Sequence, residues 1–270
     1  MYLLILHILL PILNLFTPKD AGFCNQTNNA YNMGEIINYT IYYNVIGLYV
    51  NAGNANFTTQ SSVYNGVESY TLTANGRSNS KYDWIFKVRD KYESIVDRKT
   101  LLPLQFTRQI NEGKFHYSEN LQFNQKGKTV FNLSVPDPFK IPDCTHDVIS
   151  AIYAARNINF ANLKMNEKVY LNFFLDKELF PSYFKFLGRD EITTRYGKFK
   201  VIKLAPLLVK GTVFEGGEKM LVWVTDDDNH IPVRIETPIV IGSIKVDMVG
   251  YQNLRHPLNS LISLIGDNDL

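Results

Sequence analysis

The chain has 270 residues, of which 45% are hydrophobic and 13% aromatic, with 17 phenylalanines and 16 tyrosines. This length allows one large β domain or two small ones, and the abundance of Tyr and Phe favours strands. The chain has 28 Lys and Arg residues and 26 Asp and Glu residues, which are spread along the sequence without blocks. The net charge of only +2 therefore gives no electrostatic reason to expect binding to nucleic acid.

The N-terminal stretch is typical of a targeting segment. Residues 2–16 are almost wholly apolar, and the run is short for a membrane span and contains Pro11. We therefore predict a signal peptide at residues 1–23, cleaved near residues 21–23, and a periplasmic or secreted location. A signal anchor is the alternative, because no Lys or Arg precedes the run. The mature chain is expected to have no transmembrane span, since 258–265, the other apolar stretch, is too short.

The chain has two cysteines, Cys24 and Cys144, and the predicted export determines how they are interpreted. In an oxidising compartment they are a natural disulfide pair. The alternative for Cys24 is lipid modification, which needs a small residue before the cysteine, where this chain has Phe23. We expect the disulfide.

The first half of the chain alternates strand-like runs with turn signals. Strands are predicted within 36–49, at 55–60, 68–74, 84–89 and 92–96, and then from Leu104 and through 121–123 and 130–133. Tyr64-Asn65-Gly66 predicts a hairpin turn. Further turns are predicted at 97–100, 111–113 and 125–128.

A helix is predicted at about 145–158. Val148, Ala151, Ile152 and Ala155 recur at the spacing of one helix face, which we expect to pack on the sheet. Thr145 is the predicted N-cap, with a carboxylate in the first turn where the helix dipole favours it.

The second half repeats the strand pattern and contains a weak internal repeat. Strands are predicted at 169–175, 183–187, 199–204, 220–225, 233–237 and 244–251. Residues 65–72 resemble 196–204, and each is followed along the chain by a strand, an Asp-led turn and an aliphatic-Pro-aliphatic motif, at 102–104 and 231–233. Two similar meanders flanking the helix would explain this repeat. Coincidence between β-hairpin sequences is the alternative.

These elements predict a mainly β protein: a single-domain antiparallel curved sheet or open β-barrel with one principal helix packed against it. The β-rich domain is expected at 24–256, after the signal peptide, with a C-terminal tail at 257–270.

Several segments together resemble a known family. They are Met33–Ile36, Ala52-Gly53, Tyr82–Asp90, Asp147–Tyr153, Phe214–Met220, Trp223–Asp227 and Ile231–Arg234. As a set, covering nearly all of the mature chain, they resemble the bacterial domain-of-unknown-function family 3108 in its Bacteroidetes-like form. The resemblance implies a secreted, β-rich envelope protein. It carries no established activity, so no catalytic residue can be transferred. The strand, Asp-turn, Pro, strand element also resembles the half-barrels of periplasmic lipoprotein carriers, at the level of fold only.

Candidate catalytic and metal-binding groups have simpler structural explanations. His146 and Ser150 lie four residues apart beside Asp147, but no oxyanion hole accompanies them, so a helix cap is preferred to a nucleophile and base. Cys144 near a helix N-terminus could be a reactive thiolate, but the disulfide is preferred. The oxygen-rich run 226–230 lacks the spacing of a calcium loop and is expected to be a solvated turn. We therefore predict no catalytic residue, no metal and no cofactor, and expect a protein that is not an enzyme.

Four aromatic residues form the candidate binding site. Tyr82, Trp84, Phe86 and Tyr92 are predicted to line a ligand pocket in the concave sheet, with a place in the core as the alternative. The leading hypothesis is a non-enzymatic periplasmic protein that binds a lipid, another apolar ligand or an envelope partner. The competing hypothesis is a structural or assembly factor that has a filled core and acts through a protein partner.

Overall fold

The structure, a computed structural model, describes residues 23–24, 26–45, 47–208, 216–239 and 241–265. The predicted signal peptide up to residue 22 lies outside the described residues, as do 266–270 of the predicted tail. Among the helices of the described part, none is both long and apolar enough to span a bilayer.

The described residues form one large, mainly antiparallel sheet. The first half contributes β1 (Ile36–Val45), β2 (Leu48–Tyr64), β3 (Val67–Ser78), β4 (Arg89–Asp97), β5 (Pro103–Glu112), β6 (Phe115–Asn124), β7 (Thr129–Asn132) and β8 (Phe139–Lys140). The second half contributes β9 (Thr145–His146), α1 (Val148–Ala155), β10 (Lys168–Leu175), β11 (Glu178–Thr193), β12 (Gly197–Pro206), β13 (Leu221–Thr225), β14 (Pro232–Pro238), β15 (Ser243–Gln252) and β16 (Leu261–Leu264). The prediction of a mainly β fold with one principal helix is confirmed.

Two meanders meet at the middle of the sheet. The strand order runs from β8 down to β1 and continues from β15 down to β9, with β1 antiparallel to β15. The two ends of this path, β8 and β9, do not pair with each other, so the sheet stays open. Helix α1 contacts β3 and β4 of one meander and β9 and β10 of the other, so the sheet curves around it.

The internal repeat corresponds to this architecture. The Asn65-Gly66 turn joins β2 to β3. In the second meander, Tyr196-Gly197 lies in the turn that joins β11 to β12, and Gly197 is the first residue of β12. Pro103 opens β5 and Pro232 opens β14, each after an Asp-led turn, where a missing N–H is tolerated at the start of a strand. The repeated segments therefore occupy equivalent places in the two meanders.

The helix is shorter than predicted and begins later. Thr145 and His146 are extended and pair in parallel with Asn172 and Phe173, so Thr145 is not the N-cap. The N-cap is Asp147, whose side chain accepts the N–H groups of the first turn in a reciprocal capping box with Ser150.

The predicted buried face of the helix is correct only in part, since Val148 and Ala155 pack against core clusters but are not fully buried. Ile152 of the predicted stripe is 39% exposed, whereas Ile149, Ser150, Tyr153 and Ala154 are buried. The helix sits inside the curve of the sheet, and the face carrying Tyr153 and Ile149 buries more apolar surface there than the small alanines of the predicted stripe would.

The inside of the curve is filled. One core cluster joins α1 to β3–β7 and β10, with Ala30 and Tyr31 packed into it. A second joins Phe23 and the end of the helix to β11–β13. A third contains Phe199 and Val201 of β12, while the adjacent Ile202 belongs to the second, so both faces of β12 are covered.

The C-terminal segment packs onto the sheet as far as residue 265. β16 pairs with β12, Leu258 and Leu261 pack against the third cluster, and Ser260 is buried. The described part of the predicted tail therefore belongs to the domain.

Candidate functional site

The side chains at the start of the helix form a closed polar cluster. Ser150 Oγ lies 3.2 Å from His146 Nδ1 and accepts a hydrogen bond from the Asp147 N–H at 3.0 Å. Asp147 accepts from the Ser94 hydroxyl at 2.6 Å and from the backbone N–H groups of Ile149 and Ser150. His146, Asp147 and Ser150 are each at most 1% exposed, so in this arrangement they cap the helix away from solvent.

Burial shifts the pKa values of this cluster in opposite directions. It lowers the pKa of His146 to about 4, because the charged imidazolium would lose its hydration. It raises the pKa of Asp147 to about 6, although the hydrogen bonds from Ser94 and from the helix N-terminus oppose that rise. The imidazole is therefore neutral at pH 7, and the carboxylate is largely ionised but easily protonated.

The predicted disulfide lies beside this cluster. Cys24 and Cys144 are bonded, with Cα atoms 5.4 Å apart, which is within the usual range for a disulfide. The ring of Phe23 meets that of His146 edge to face. Both sulfur atoms are used, so the structure offers neither a reactive Cys144 thiolate nor a Cys24 sulfur for lipid attachment. A disulfide is typical of proteins that fold outside the cytoplasm.

The predicted turn at 226–230 uses its polar atoms internally. Asp227 Oδ1 accepts from the Thr225 hydroxyl at 2.9 Å and from the Asn229 N–H at 3.0 Å, and its Oδ2 accepts from the Ser260 N–H. His230 Nδ1 lies 2.7 Å from the Arg156 carbonyl oxygen. Across the described ranges, no three His, Cys, Asp or Glu side chains are grouped so that they could hold a metal ion.

The four aromatic residues of the predicted pocket lie in two different environments. Tyr92 on β4 packs partly against the first core cluster, and burial raises its pKa. Tyr82, Trp84 and Phe86 lie on the loop between β3 and β4 and are 38%, 82% and 52% exposed. Three of the four are therefore exposed side chains outside the core.

Local hydrogen bonds explain why the strand predicted at 84–89 is instead a loop. The Asn79 side chain accepts the Lys81 N–H and caps a single 3₁₀ turn at Ser80–Tyr82. Asp83 then accepts hydrogen bonds from Ser78 and Arg89, and the Arg89 bond holds the pKa of that carboxyl below its usual range. These bonds close the loop at its base, so β4 begins only at Arg89.

The loop is part of a larger exposed apolar surface, which we call the apolar rim. We define it by large hydrophobic side chains at the end of the sheet that carries the β1–β2, β3–β4, β5–β6 and β14–β15 connections. They are Leu48, Tyr49, Val50, Tyr82, Trp84, Ile85, Phe86, Phe115 and Ile241, all at least 38% exposed.

Direct contacts join the segments of the apolar rim. The Tyr43 hydroxyl donates to the Ile241 carbonyl oxygen at 2.9 Å, which joins the β14–β15 turn to β1. The Asn79 N–H donates to the Ala52 carbonyl oxygen at 2.8 Å, which joins the β3–β4 loop to β2. The Gly113 N–H donates to the Lys87 carbonyl oxygen at 2.8 Å, which joins that loop to the β5–β6 turn. The segments of the rim are therefore linked along one end of eight neighbouring strands.

The charges around the apolar rim are mainly basic. Lys81, Lys87 and Lys114 make no ion pair with any described residue, and Lys245 lies 4.2 Å from the Tyr49 ring centre. Of the acidic groups nearby, Asp83 is paired with Arg89. Burial and the neighbouring Asp90 carboxylate raise the pKa of Glu112.

Sequence reasoning found three members of the apolar rim but missed the others. Leu48 and Ile241 lie next to Gly47 and Gly242, and Phe115 follows the Gly113 turn. Hairpin turns are usually polar. Large apolar residues beside turn glycines were therefore the signal that could have located this surface.

Comparison with known proteins gives a family but no activity. The model of the family described as "Protein of unknown function (DUF3108)" matches residues 38–249. A beta-barrel-like protein of DUF1849 from Brucella abortus aligns with 84% of this chain and 100% of its own, at a TM-score of 0.54 and 10% identity, and so shares the fold. No curated protein matches the chain.

Two further solved structures align over the same share of the chain. A protein from Bacteroides fragilis, described as exported and of YmcC-like fold, has 12% identity and a TM-score of 0.35, with 84% of this chain and 99% of its own covered. A protein from Parabacteroides distasonis, described as a lipoprotein, has 12% identity and a TM-score of 0.38 at the same coverage.

Proposed function

We propose, from the premise that this chain belongs to the DUF3108 family of proteins of unknown function, that it is an exported, non-enzymatic envelope protein that docks on a lipid surface. The apolar rim is the docking surface. The observation that carries this proposal is that nine exposed apolar side chains lie at one end of the sheet, on segments that are linked by hydrogen bonds. Exposed apolar patches of this kind mark sites of interaction with membranes or proteins.

The filled interior favours the rim over a pocket inside the sheet. Helix α1, Phe23 and Tyr31 occupy the inside of the curve and are packed into the core clusters there. An apolar partner would therefore gain more contact with the rim, where Trp84, Ile85 and Leu48 are 82%, 63% and 72% exposed. In this proposal the periplasmic binding role predicted from the sequence is moved from the interior to the rim.

The composition of the rim favours a bilayer surface as the partner. Trp and Tyr are enriched where proteins meet the interface between water and lipid, because their rings are apolar and carry a polar edge. The lysines that flank the rim would lie at the level of the headgroups and attract anionic lipids. Ile85 and Phe86 are 63% and 52% exposed, so burying the remainder of each would contribute about 1–2 kcal/mol, part of the value for a fully exposed side chain.

Vesicle binding tests the proposal. The full-length mature protein is sedimented with phosphatidylcholine vesicles that contain or lack phosphatidylglycerol. We expect binding that is stronger with phosphatidylglycerol and is weakened at least tenfold by the double substitution Trp84→Ser, Ile85→Ser. The matched control is Val63→Ser, which removes a side chain that is 71% exposed at the opposite end of the sheet and should leave binding unchanged.

Fluorescence gives an independent readout, because the chain has only two tryptophans and Trp223 is buried. In a Trp223→Phe variant, emission from Trp84 should shift to shorter wavelength when vesicles are added. Unchanged vesicle binding by the Trp84→Ser, Ile85→Ser protein, or no vesicle binding by the unmutated protein, would overturn the proposal. Self-association or capture of a protein partner that depends on Trp84, without vesicle binding, would support the assembly-factor hypothesis instead.

A further inference from the structure

We infer that a polar cleft below the β3–β4 loop binds an acidic saccharide. The cleft has a volume of about 630 Å³ and crosses β15 and β1–β4. Its chemistry differs from that of the apolar rim, because its lining includes four asparagines, two arginines, a lysine and one carboxylate, Asp90. Asp90 is opposite Gly76, so it lies one residue out of step with the asparagines and arginines and on the other face of the sheet.

Strand register arranges the polar side chains in two rows on one face. Asn38 is opposite Asn56, Asn56 is opposite Asn75, and Asn75 is opposite Lys91. Residues directly opposite each other in antiparallel strands share a face, about 4.5–5.5 Å apart. The chain therefore presents three amides and an ammonium group in line across four strands.

The second row lies two residues along each strand and therefore on the same face. Asn54 is opposite Arg77, and Arg77 is opposite Arg89. Arg89 is held by Asp83, and Lys91 pairs with Glu93. Arg77, in contrast, has no ion pair and no side-chain hydrogen bond within the described part of the chain, and it is exposed. Of the three cations in the cleft, the Arg77 guanidinium is therefore the one available to pair with an anionic ligand.

The two rows match the chemistry of a charged sugar. Asn75 Nδ2 donates to Asn56 Oδ1 at 3.0 Å, which fixes these two amides relative to each other. Each amide has two donors and two acceptor sites, so both types remain for hydroxyls on successive parts of a saccharide. Arg77 can hold one carboxylate or phosphate group through two parallel hydrogen bonds. A glycine, Gly250, continues the first row opposite Asn38, and a Cβ atom there would meet no atom within 4 Å. The row therefore has open space at that end for an extended ligand.

Titration calorimetry with soluble sugars tests the inference on the full mature protein. The probes are trigalacturonic acid, which is acidic, and maltotriose, which is neutral. We expect binding of the acidic sugar, weakened by added salt because exposed charges are screened. Arg77→Gln and Asn75→Val should each weaken it, the first at least tenfold, since hydrogen bonds to charged groups are the stronger ones. The matched control is Lys126→Gln, an exposed cation in the distant β6–β7 turn, which should leave the affinity unchanged.

A second arm separates a free saccharide from the headgroup of a glycolipid. The Trp84→Ser, Ile85→Ser protein is mixed with phosphatidylcholine vesicles that contain or lack a glycolipid with a uronic acid headgroup. Binding that needs this glycolipid and Arg77 supports the same site with a lipid-borne sugar, and leaves the rim proposal to its own test. Equal binding of the acidic and neutral sugars, binding insensitive to Arg77, or binding of neither sugar nor glycolipid would overturn the inference.

Discussion

The buried ion pair between Arg156 and Glu35 is expected to be among the most sensitive points of the fold. Arg156 Nη1 and Nη2 donate to the two Glu35 carboxylate oxygens at 2.6 and 2.9 Å, and both side chains are at least 96% buried. The guanidinium also donates to the carbonyl oxygens of Ala30 and Asn229. One side chain at the end of α1 thus joins the N-terminal segment, the start of the sheet and the β13–β14 turn.

Glu35→Gln should destabilise the protein by about 3–5 kcal/mol, the usual cost of leaving one partner of a buried pair uncompensated. Burial lowers the pKa of Arg156 and the Glu35 carboxylate raises it. A guanidinium keeps its proton in proteins even without such a partner, so Glu35→Gln leaves a buried positive charge unpaired. Proteins typically have a free energy of unfolding of about 5–15 kcal/mol, so this loss would be a large fraction of the total stability. The double substitution Glu35→Met, Arg156→Met should cost less than the sum of the two single substitutions, because neither charge is left alone.

Urea unfolding at pH 7 without reductant, followed by fluorescence of the buried Trp223, measures these changes. The control is Glu191→Gln, because the ion pair of Glu191 with Lys198 is exposed on both sides. That change should cost no more than about 1 kcal/mol. A loss below about 1 kcal/mol for Glu35→Gln at an unchanged denaturant slope would refute the reasoning, since the pair would then not be buried as the structure has it.

Two further predictions concern the surroundings of the helix. First, the Cys24–Cys144 bond closes a separation of 120 residues, so Cys24→Ser with Cys144→Ser should lower the free energy of unfolding by up to about 4–5 kcal/mol. Intact mass after alkylation checks the bond, and two alkylated cysteines without reductant, or a lipid adduct, would contradict it. Second, the pH dependence should differ in sign between two variants. The folded state binds fewer protons at His146 (pKa about 4 against 6.5 unfolded), so that group lowers stability as the pH falls from 6.5 to 4. It binds more protons at Asp147 (about 6 against 3.8), so that group raises stability as the pH falls from 6 to 4. Relative to wild type, Asp147→Asn should therefore lose about 3 kcal/mol over this fall, and His146→Gln should gain a similar amount. Urea unfolding at pH 4, 5 and 6.5 measures both, and parallel curves for the two variants would contradict the assignment.

The turns and the order of strands within each meander were predictable because they depend on neighbours in sequence. Asn65-Gly66 specifies a hairpin by itself, since both residues tolerate the positive φ that the turn needs. The pairing of β1 with β15 was not predictable in this way. It brings Ile36 against Gln252, and no local pattern encodes a contact across more than 200 residues.

The helix and the aromatic loop show where periodicity fails. Counting apolar positions at helical spacing selected Ala151 and passed over Tyr153, although the tyrosine buries far more surface. The run from Trp84 to Arg89 has the composition of a strand, yet hydrogen bonds from Asn79 and Asp83 hold it in a loop. Polar side chains that bind nearby backbone or each other can override strand propensity, and hydropathy does not record them.

The two tryptophans differ in role: one contributes to the stability of the fold, and the other remains available for binding. Trp223 lies in the third core cluster, so its burial already contributes to folding. Trp84 is 82% exposed, so the free energy of burying it is not used by the folded chain. Substitutions on the apolar rim should therefore leave the free energy of unfolding nearly unchanged while they alter binding. Glu35→Gln should lower the free energy of unfolding, but the molecules that stay folded should bind as the unmutated protein does. If rim variants instead unfolded the protein, the rim would be part of the core, and the argument for lipid docking would fail with it.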